Sequence, residues 1–401
     1  MAIVGRMQVI AVETVRVEDF PNLLWVQVHT DDGLVGLGET FYAARAAEAH
    51  VHETVAPYLI GKDPLRIEAH NRALHGYVGY SGSGAETRAR SAVDIALWDL
   101  LGQATGQPLH VLLGGMTRPR VRTYNTCAGP AYVRGAGGQK VSNWGLAEGR
   151  YEDLHAQLHH PDALAEDLLA SGITAMKIWP FDPYAEAHDG SFITPGELAK
   201  GLEPIRRIRD AVGDAMDVMI ELHALWDVPT ASRIAHALEE YTPFWIEDPV
   251  RSDLVDGLSA VAAATPTRVA AGETVAGVEA FQRLLAERAI GVATVDVTWC
   301  GGLTVARKVA DAAAAHGVPV APHDCTGPVA LTACTHLSTA APNALLQETV
   351  RAAYLGWYRD LVTELPAVAD GHITSLTGPG LGTSLLPDLK DRPGTLVTTS
   401  R

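Results

Sequence analysis

Val218-Met219-Ile220-Glu221, Phe244-Trp245-Ile246-Glu247 and Val269-Ala270-Ala271-Gly272-Glu273 share one pattern: an apolar, strand-like run closed by a glutamate, repeated every 26 residues. The series runs on through Asp296 after Ala293-Thr294-Val295, His323 after Val318-Pro319-Val320-Ala321-Pro322, and Glu348 after Leu345-Leu346-Gln347, at steps of 23, 27 and 25 residues. A repeated strand-plus-helix unit that ends each strand in an acid or a histidine predicts a parallel (β/α) barrel. The C-terminal ends of its strands converge on one site. Three carboxylates gathered there repel one another and require a hard cation.

Outside that series the composition bounds the reading. The chain has 401 residues, 47% hydrophobic and 19% charged, enough for one large barrel and a second domain. A net charge of -16 argues against a nucleic-acid or anionic-membrane partner, and leaves a small-molecule carboxylate substrate open if a cation inverts the local field. The four cysteines, Cys127, Cys300, Cys325 and Cys334, form no C-x-x-C pair and read as reduced thiols. Cys325 lies two residues from His323, so a thiol nucleophile stands beside the plainer reading of a small buried residue. Met1 to Val17 lacks the apolar core of a signal peptide, and no apolar run approaches the roughly 18 residues of a membrane span. The expected location is cytoplasmic.

Residues 1 to 119 do not follow the barrel period. Val9 to Val17 and Leu23 to Thr30 read as strands, with a hairpin turn at Asp31-Asp32-Gly33 and a returning strand from Leu34 to Glu39. Ala43 to Leu59 and Arg88 to Gln103 have helical spacing. This predicts an α+β cap, and residues 120–355 the barrel. Thr194-Pro195-Gly196-Glu197 is a capping box that starts a helix, and Gly213 can end it. The glycine-rich stretch 128–150 is long enough to cover a site or to be a surface insertion. Residues 356–401 lack the barrel period and are expected to return to the cap.

All-carboxylate ligation suits Mg²⁺ better than Zn²⁺, so Glu221, Glu247 and Glu273 are the metal candidates. The segments resemble the enolase superfamily, specifically its mandelate racemase/muconate lactonizing enzyme-like group. The resemblance rests on Ile220-Glu221-Leu222-His223, Trp245-Ile246-Glu247-Asp248-Pro249 and Ala271-Gly272-Glu273-Thr274. In the cap it rests on Gly33-Leu34-Val35-Gly36-Leu37-Gly38-Glu39 and Ile95-Ala96-Leu97-Trp98-Asp99-Leu100. It implies a modified TIM barrel of the (β/α)7β type under an α+β cap. It further implies Mg²⁺ on the three glutamates, an Asp–His dyad at Asp296 and His323, and a final-strand acid at Glu348. A divalent ion chelating a carboxylate stabilises the charge left when the neighbouring C–H ionises. His323 suits the base, with Asp296 fixing its tautomer.

His223 stands two residues past Glu221, so strand alternation puts both on one side, roughly 7 Å apart. A second histidine there is placed to protonate a leaving hydroxyl, as in the acid-sugar dehydratases that the chain resembles. Lys177 and Trp179 form a like pair in Ala175-Met176-Lys177-Ile178-Trp179, where the family often has Lys-x-Lys. Trp179 removes that second base, and Lys177 is left to bind the substrate carboxylate. Glu221 is another departure, since Asp is commoner at that place. Glu348 is expected to act as a neutral acid if neighbouring acids raise its pKa. Asp248 and Asp324 should face away by alternation. Tyr80, in a glycine-rich cap loop with Tyr77, Ser81 and Ser83, is a candidate for the distal substrate, as are Trp299 and the Phe20-Pro21-Asn22 hairpin.

The expected function is Mg²⁺-dependent dehydration of a small aldonate or aldarate to a 2-keto-3-deoxy acid. The alternatives are a racemase, epimerase or lactone cycloisomerase, with Lys177 as second base, and a catalytically silent metal-binding relative. Barrels of this kind self-associate, so a homo-oligomer is expected.

Overall fold

The computed structural model describes residues 7–76, 82–132, 134, 140–146 and 149–401. Strands β1 (Val9–Val17), β2 (Leu23–Thr30) and β3 (Val35–Phe41) form an antiparallel meander. Gly33 adopts φ +88° in the β2–β3 turn, a conformation that costs glycine little. The 21-residue helix Ala85–Thr105 packs against β3. Its approach is close because two β3 residues have no side chain: a Cβ on Gly36 or Gly38 would lie 2.1 or 1.8 Å from the Ala96 or Ala92 carbonyl oxygen. The predicted helix from Ala43 instead comprises Ala44–His50, a π-helical turn Val51–Val55 and Ala56–Leu59.

A parallel series follows: β4 (Val121–Thr126), β5 (Ala175–Ile178), β6 (Asp217–Glu221), β7 (Trp245–Glu247), β8 (Val269–Ala271) and β9 (Val292–Ala293) pair each with the next. Val320 extends the series through single parallel bridges to Ala293 and Ala344. Then β10 (Gln347–Thr349) pairs with β4, so the pairing returns to its first strand. Tyr124, Ala175, Met219, Trp245, Ala270, Val292, Ala321 and Leu346, one from each strand position, form a buried cluster separate from the outer core. That inner layer is the signature of a TIM-barrel-like domain. Helices cover the outside. Thr194 and Glu197 exchange the capping-box bonds at the start of Pro195–Val212, and Gly213 at φ +54° ends it.

The predicted strand at 318–322 is reduced to Val320, because Pro319 and Pro322 have no N–H for a ladder. Glu348 lies inside β10 rather than beyond it. Past the barrel, a hairpin of β11 (Ala367–Ala369) and β12 (His372–Thr374) adds antiparallel to β4, and β13 (Thr395–Ser400) pairs with β1. Among the described residues no helix is long and apolar enough to cross a membrane. All four cysteines are free thiols.

Candidate active site

The strand ends bring three acids together. Carboxylate oxygens of Glu221, Glu247 and Glu273 lie within 4.8 Å of one another. Glu221 and Glu247 are buried, and neighbouring registers of β6 and β7 set them side by side. Burial, together with the charges of Glu221 and Glu348, pushes the Glu247 carboxyl up to about 7, although Lys177 opposes the shift. Hard oxygens crowded this closely, with a raised pKa among them, fit a hard divalent cation. The Glu221 side chain, longer than an aspartate by one methylene, offers one of these oxygens.

Lys177 is buried among the acids, its Nζ 3.2 Å from Glu221, 3.0 Å from Glu247 and 3.2 Å from Glu348. Burial alone would lower its pKa; Glu247 and Glu348 outweigh that and hold it well above the ordinary value. A lysine kept protonated acts as an electrostatic group beside the acids. Glu348 likewise departs from expectation. Burial favours its neutral form, but Lys177 and His323 lower it to about 2. It accepts from the Thr126 hydroxyl and, at 2.8 Å, from the Asp324 backbone N–H. These neighbours and contacts favour its carboxylate form.

Two histidines face this cluster, each held through Nδ1 by an aspartate. His323 Nδ1 lies 2.7 Å from Asp296 Oδ2, leaving Nε2 3.2 Å from Glu273 and 3.4 Å from the Cys325 thiol. Asp296 is fixed in turn by the Thr298 N–H at 2.6 Å and hydroxyl at 2.7 Å. Burial opposes a charge on His323; Glu273 and its other neighbours overcome this and raise its pKa well above the usual value. His223 Nδ1 lies 2.7 Å from Asp182 Oδ2. Against the cost of burial, Asp182 and Glu221 raise His223 to about 10.

His223 reaches the site by a route that alternation did not anticipate. β6 ends at Glu221, and His223 and Ala224 take left-handed φ of +49° and +57°. The His223 backbone N–H donates to Glu221 Oε1 at 2.8 Å, a bond from the turn back to the cluster. Non-glycine residues in this region store strain, which is a mark of functional turns. Asp248 also leaves the strand, at φ +38°. It is buried, and burial with the charges of Glu273, Glu221 and Glu247 pushes its carboxyl well up.

Lys177, Trp179, His223, Glu273, Trp299, His323, Cys325 and Glu348 share one inner pocket. A cavity of about 1350 Å³ opens above it, walled by Asn22, Tyr42 and Arg88 of the cap, by Lys140 and Trp144, and by Asp182. The indole N–H groups of Trp179 and Trp299 are buried with no acceptor among the described residues, a deficit that a polyhydroxylated ligand can satisfy. Burial raises the Cys325 thiol to about 11, which argues against a nucleophilic thiolate. Tyr80, with Tyr77 and Ser81, lies outside the described residues; Ser83 lines a separate surface pocket. The sequence reading missed Asp182. It sits past the strand end in Trp179-Pro180-Phe181-Asp182, where periodicity carries no signal.

Residues 162–389 match the enolase C-terminal domain-like model, and residues 4–114 match the N-terminal domain model of mandelate racemase / muconate lactonizing enzyme. A D-galactonate dehydratase of Pectobacterium atrosepticum is 31% identical over 378 residues, covering 92% of this chain and 90% of its own. A D-galactonate dehydratase of Xanthomonas campestris is 32% identical over 380 residues, covering 93% and 91%. A crystal structure of an enolase of the mandelate racemase subgroup from Agrobacterium tumefaciens is 48% identical, with a TM-score of 0.88 and 98% of each chain covered. A dehydratase-titled structure from Salmonella enterica is 27% identical, with a TM-score of 0.85 and coverages of 98% and 99%. With both domains matched, the chain belongs to the mandelate racemase/muconate lactonizing enzyme group of the enolase superfamily.

Proposed function

We propose that this chain is a Mg²⁺-dependent hydro-lyase that dehydrates a small acid sugar, an aldonate or aldarate, on a (β/α)7β barrel. The observation that carries this reading is the pair of histidines on one pocket, each with a carboxylate on Nδ1, beside a three-carboxylate cluster. The dehydratase names of the relatives point the same way.

Glu221, Glu247 and Glu273 are the residues to hold Mg²⁺, which when bound supplies the positive charge that makes a carboxylate's α-proton removable. Lys177 binds the substrate carboxylate and offsets the charge that develops on it. His323 Nε2 removes the C2 proton while Asp296 keeps its Nδ1 occupied. The electron pair released from C2–H becomes the C2–C3 double bond as the C3–O bond breaks. His223 gives a proton to the departing oxygen, so it leaves as water. The resulting enol takes up a proton at C3 and becomes the 2-keto-3-deoxy acid. Glu348 holds the loop of Asp324 and screens Lys177. Trp179 and Trp299 wall the pocket and offer N–H groups to substrate hydroxyls.

The test is to incubate the Mg²⁺-loaded protein with D-galactonate and a panel of aldonates and aldarates, assaying for 2-keto-3-deoxy acid. His323→Asn must abolish both product and C2–deuterium exchange. A panel that yields exchange but no keto acid favours an isomerase. The two opposed histidines also support that reading, with His223 in place of Lys177 as the second base.

A further inference from the structure

Asp182 opens the short helix Asp182–Ala187, just past the end of β5, whereas His223 follows β6. Their 2.7 Å contact therefore ties the ends of two adjacent strands. The Asp182 side chain is 5% exposed, and its other oxygen, Oδ1, is buried without a hydrogen-bond partner among the described residues. A carboxylate withdrawn from water this far is costly, and the imidazole is the partner that offsets it. Asp182 is not in the three-glutamate cluster, so ion binding does not account for its position.

The His223 ring has little else to orient it. Its backbone has left the strand for a left-handed turn, so alternation does not set its direction. Trp179 approaches edge-on at 5.7 Å between ring centroids, a contact that limits tilt and tolerates rotation about the ring axis. The Nδ1 contact with Asp182 is directional. Across the pocket, Asp296 makes the same contact at the same distance with His323.

We propose that Asp182 is the positioning residue of His223: it grips Nδ1, turns Nε2 toward the pocket and holds the ring as a proton donor to the leaving hydroxyl. This rests on the dehydratase reading of the site. In the elimination, the proton on Nε2 goes to the C3 oxygen while the C–O bond breaks, and neutral imidazole remains. The C2 proton stays on His323. Asp182 serves only the second transfer, so its loss should separate the two steps.

The experiment uses Mg²⁺-loaded wild type, Asp182→Asn and Asp182→Glu with D-galactonate in heavy water, following C2 exchange and keto-acid formation together. For Asp182→Asn, keto acid should fall about 100-fold or more, the size of a general-acid contribution, with C2 exchange retained. Asp182→Glu should recover part of the elimination. A parallel fall of both rates, or no fall in either, overturns the proposal. A second readout needs no turnover: nitrogen-15 NMR of the imidazoles. The Nδ1-bound proton of His223 should be hydrogen-bonded in wild type and lost or shifted in Asp182→Asn, with His323 unmoved. An unshifted His223 signal overturns the assignment. If wild type makes keto acid from no acid sugar, the dehydratase reading fails, and the NMR result alone decides the pairing.

Discussion

Glu39, on the last strand of the cap sheet, accepts the backbone N–H of Ala330 at 2.9 Å in the first turn of the barrel helix Pro328–Ala340. Asp94, on the long cap helix, does the same for Thr304 at 2.9 Å, in the first turn of Leu303–Ala315. These two barrel helices follow the loops that carry His323 and Asp296. Each contact needs a glycine beside it: a Cβ on Gly327 or Gly302 would lie 2.3 Å from Glu39 or Asp94. Carboxylates at helix N-termini are favoured by the free N–H groups and the helix dipole. The cap thus fixes the starting points of the two helices nearest the dyad.

Removing Glu39 tests that link. Glu39→Ala leaves the Ala330 N–H and the Trp25 indole N–H buried without their acceptor, the latter now bonded at 2.7 Å. The expected loss is about 3 kcal/mol of unfolding free energy, read from urea denaturation. A variant as stable as wild type would show that the link is not structural.

Gly38→Ala probes the cap interior. Its Cβ would meet the Ala92 backbone, which cannot swing aside as a side chain can. The helix Ala85–Thr105 must move off β3, and we expect a loss of about 3 kcal/mol or failure to fold. Thermal unfolding and soluble yield measure this. A Tm unchanged by the substitution would contradict the packing described.

Stability should also respond to acid at a second interface. His336 on Pro328–Ala340 is fully buried, its Nε2 3.1 Å from the Leu381 carbonyl and its Nδ1 3.1 Å from His110 Nδ1. Burial, reinforced by His110, lowers its pKa to about 4 although the Leu381 carbonyl favours the charged form. The folded state binds this proton more weakly than the unfolded chain. The stabilisation is therefore complete above about pH 6.5 and is lost as pH falls toward 4, reaching about 3 kcal/mol. Urea titrations across that range should show the decline in wild type and a shallower one in His336→Gln.

Glu221→Asp examines the departure from the commoner acid. The substitution keeps the charge and withdraws the oxygen by about one methylene from a cluster spanning 4.8 Å. Mg²⁺ demands near-ideal geometry, so affinity should fall at least tenfold by calorimetry, and the rise in Tm on adding Mg²⁺ should shrink. An undiminished affinity would mean that Glu221 is not a ligand. Glu247→Gln, which removes a charge, should cost more.

Much of the architecture was legible because it repeats. The 26-residue step from Glu221 to Glu247 to Glu273 is a property of the chain, and β6 to β8 pair in that order. The hairpin at Asp31-Asp32-Gly33 and the capping box at Thr194 are local codes read within a few residues. What was not legible shares a cause. Asp248 and His223 lie beyond their strands, where a left-handed backbone replaces alternation, so the route by which His223 enters the pocket could not be read. Glu348 has its charge state set by Lys177 and His323, which stand 171 and 25 residues away in the chain. Asp182 meets His223 across 41 residues, through a connection with no period.

The chain alone determined which acids and histidines end the strands, because hydrophobic periodicity is encoded residue by residue. Only the tertiary structure decided which of them touch and which carry charge. Contacts such as Glu39 with Ala330 and Asp182 with His223 depend on how separate elements pack, and a buried group's proton affinity depends on every charge that packing brings near.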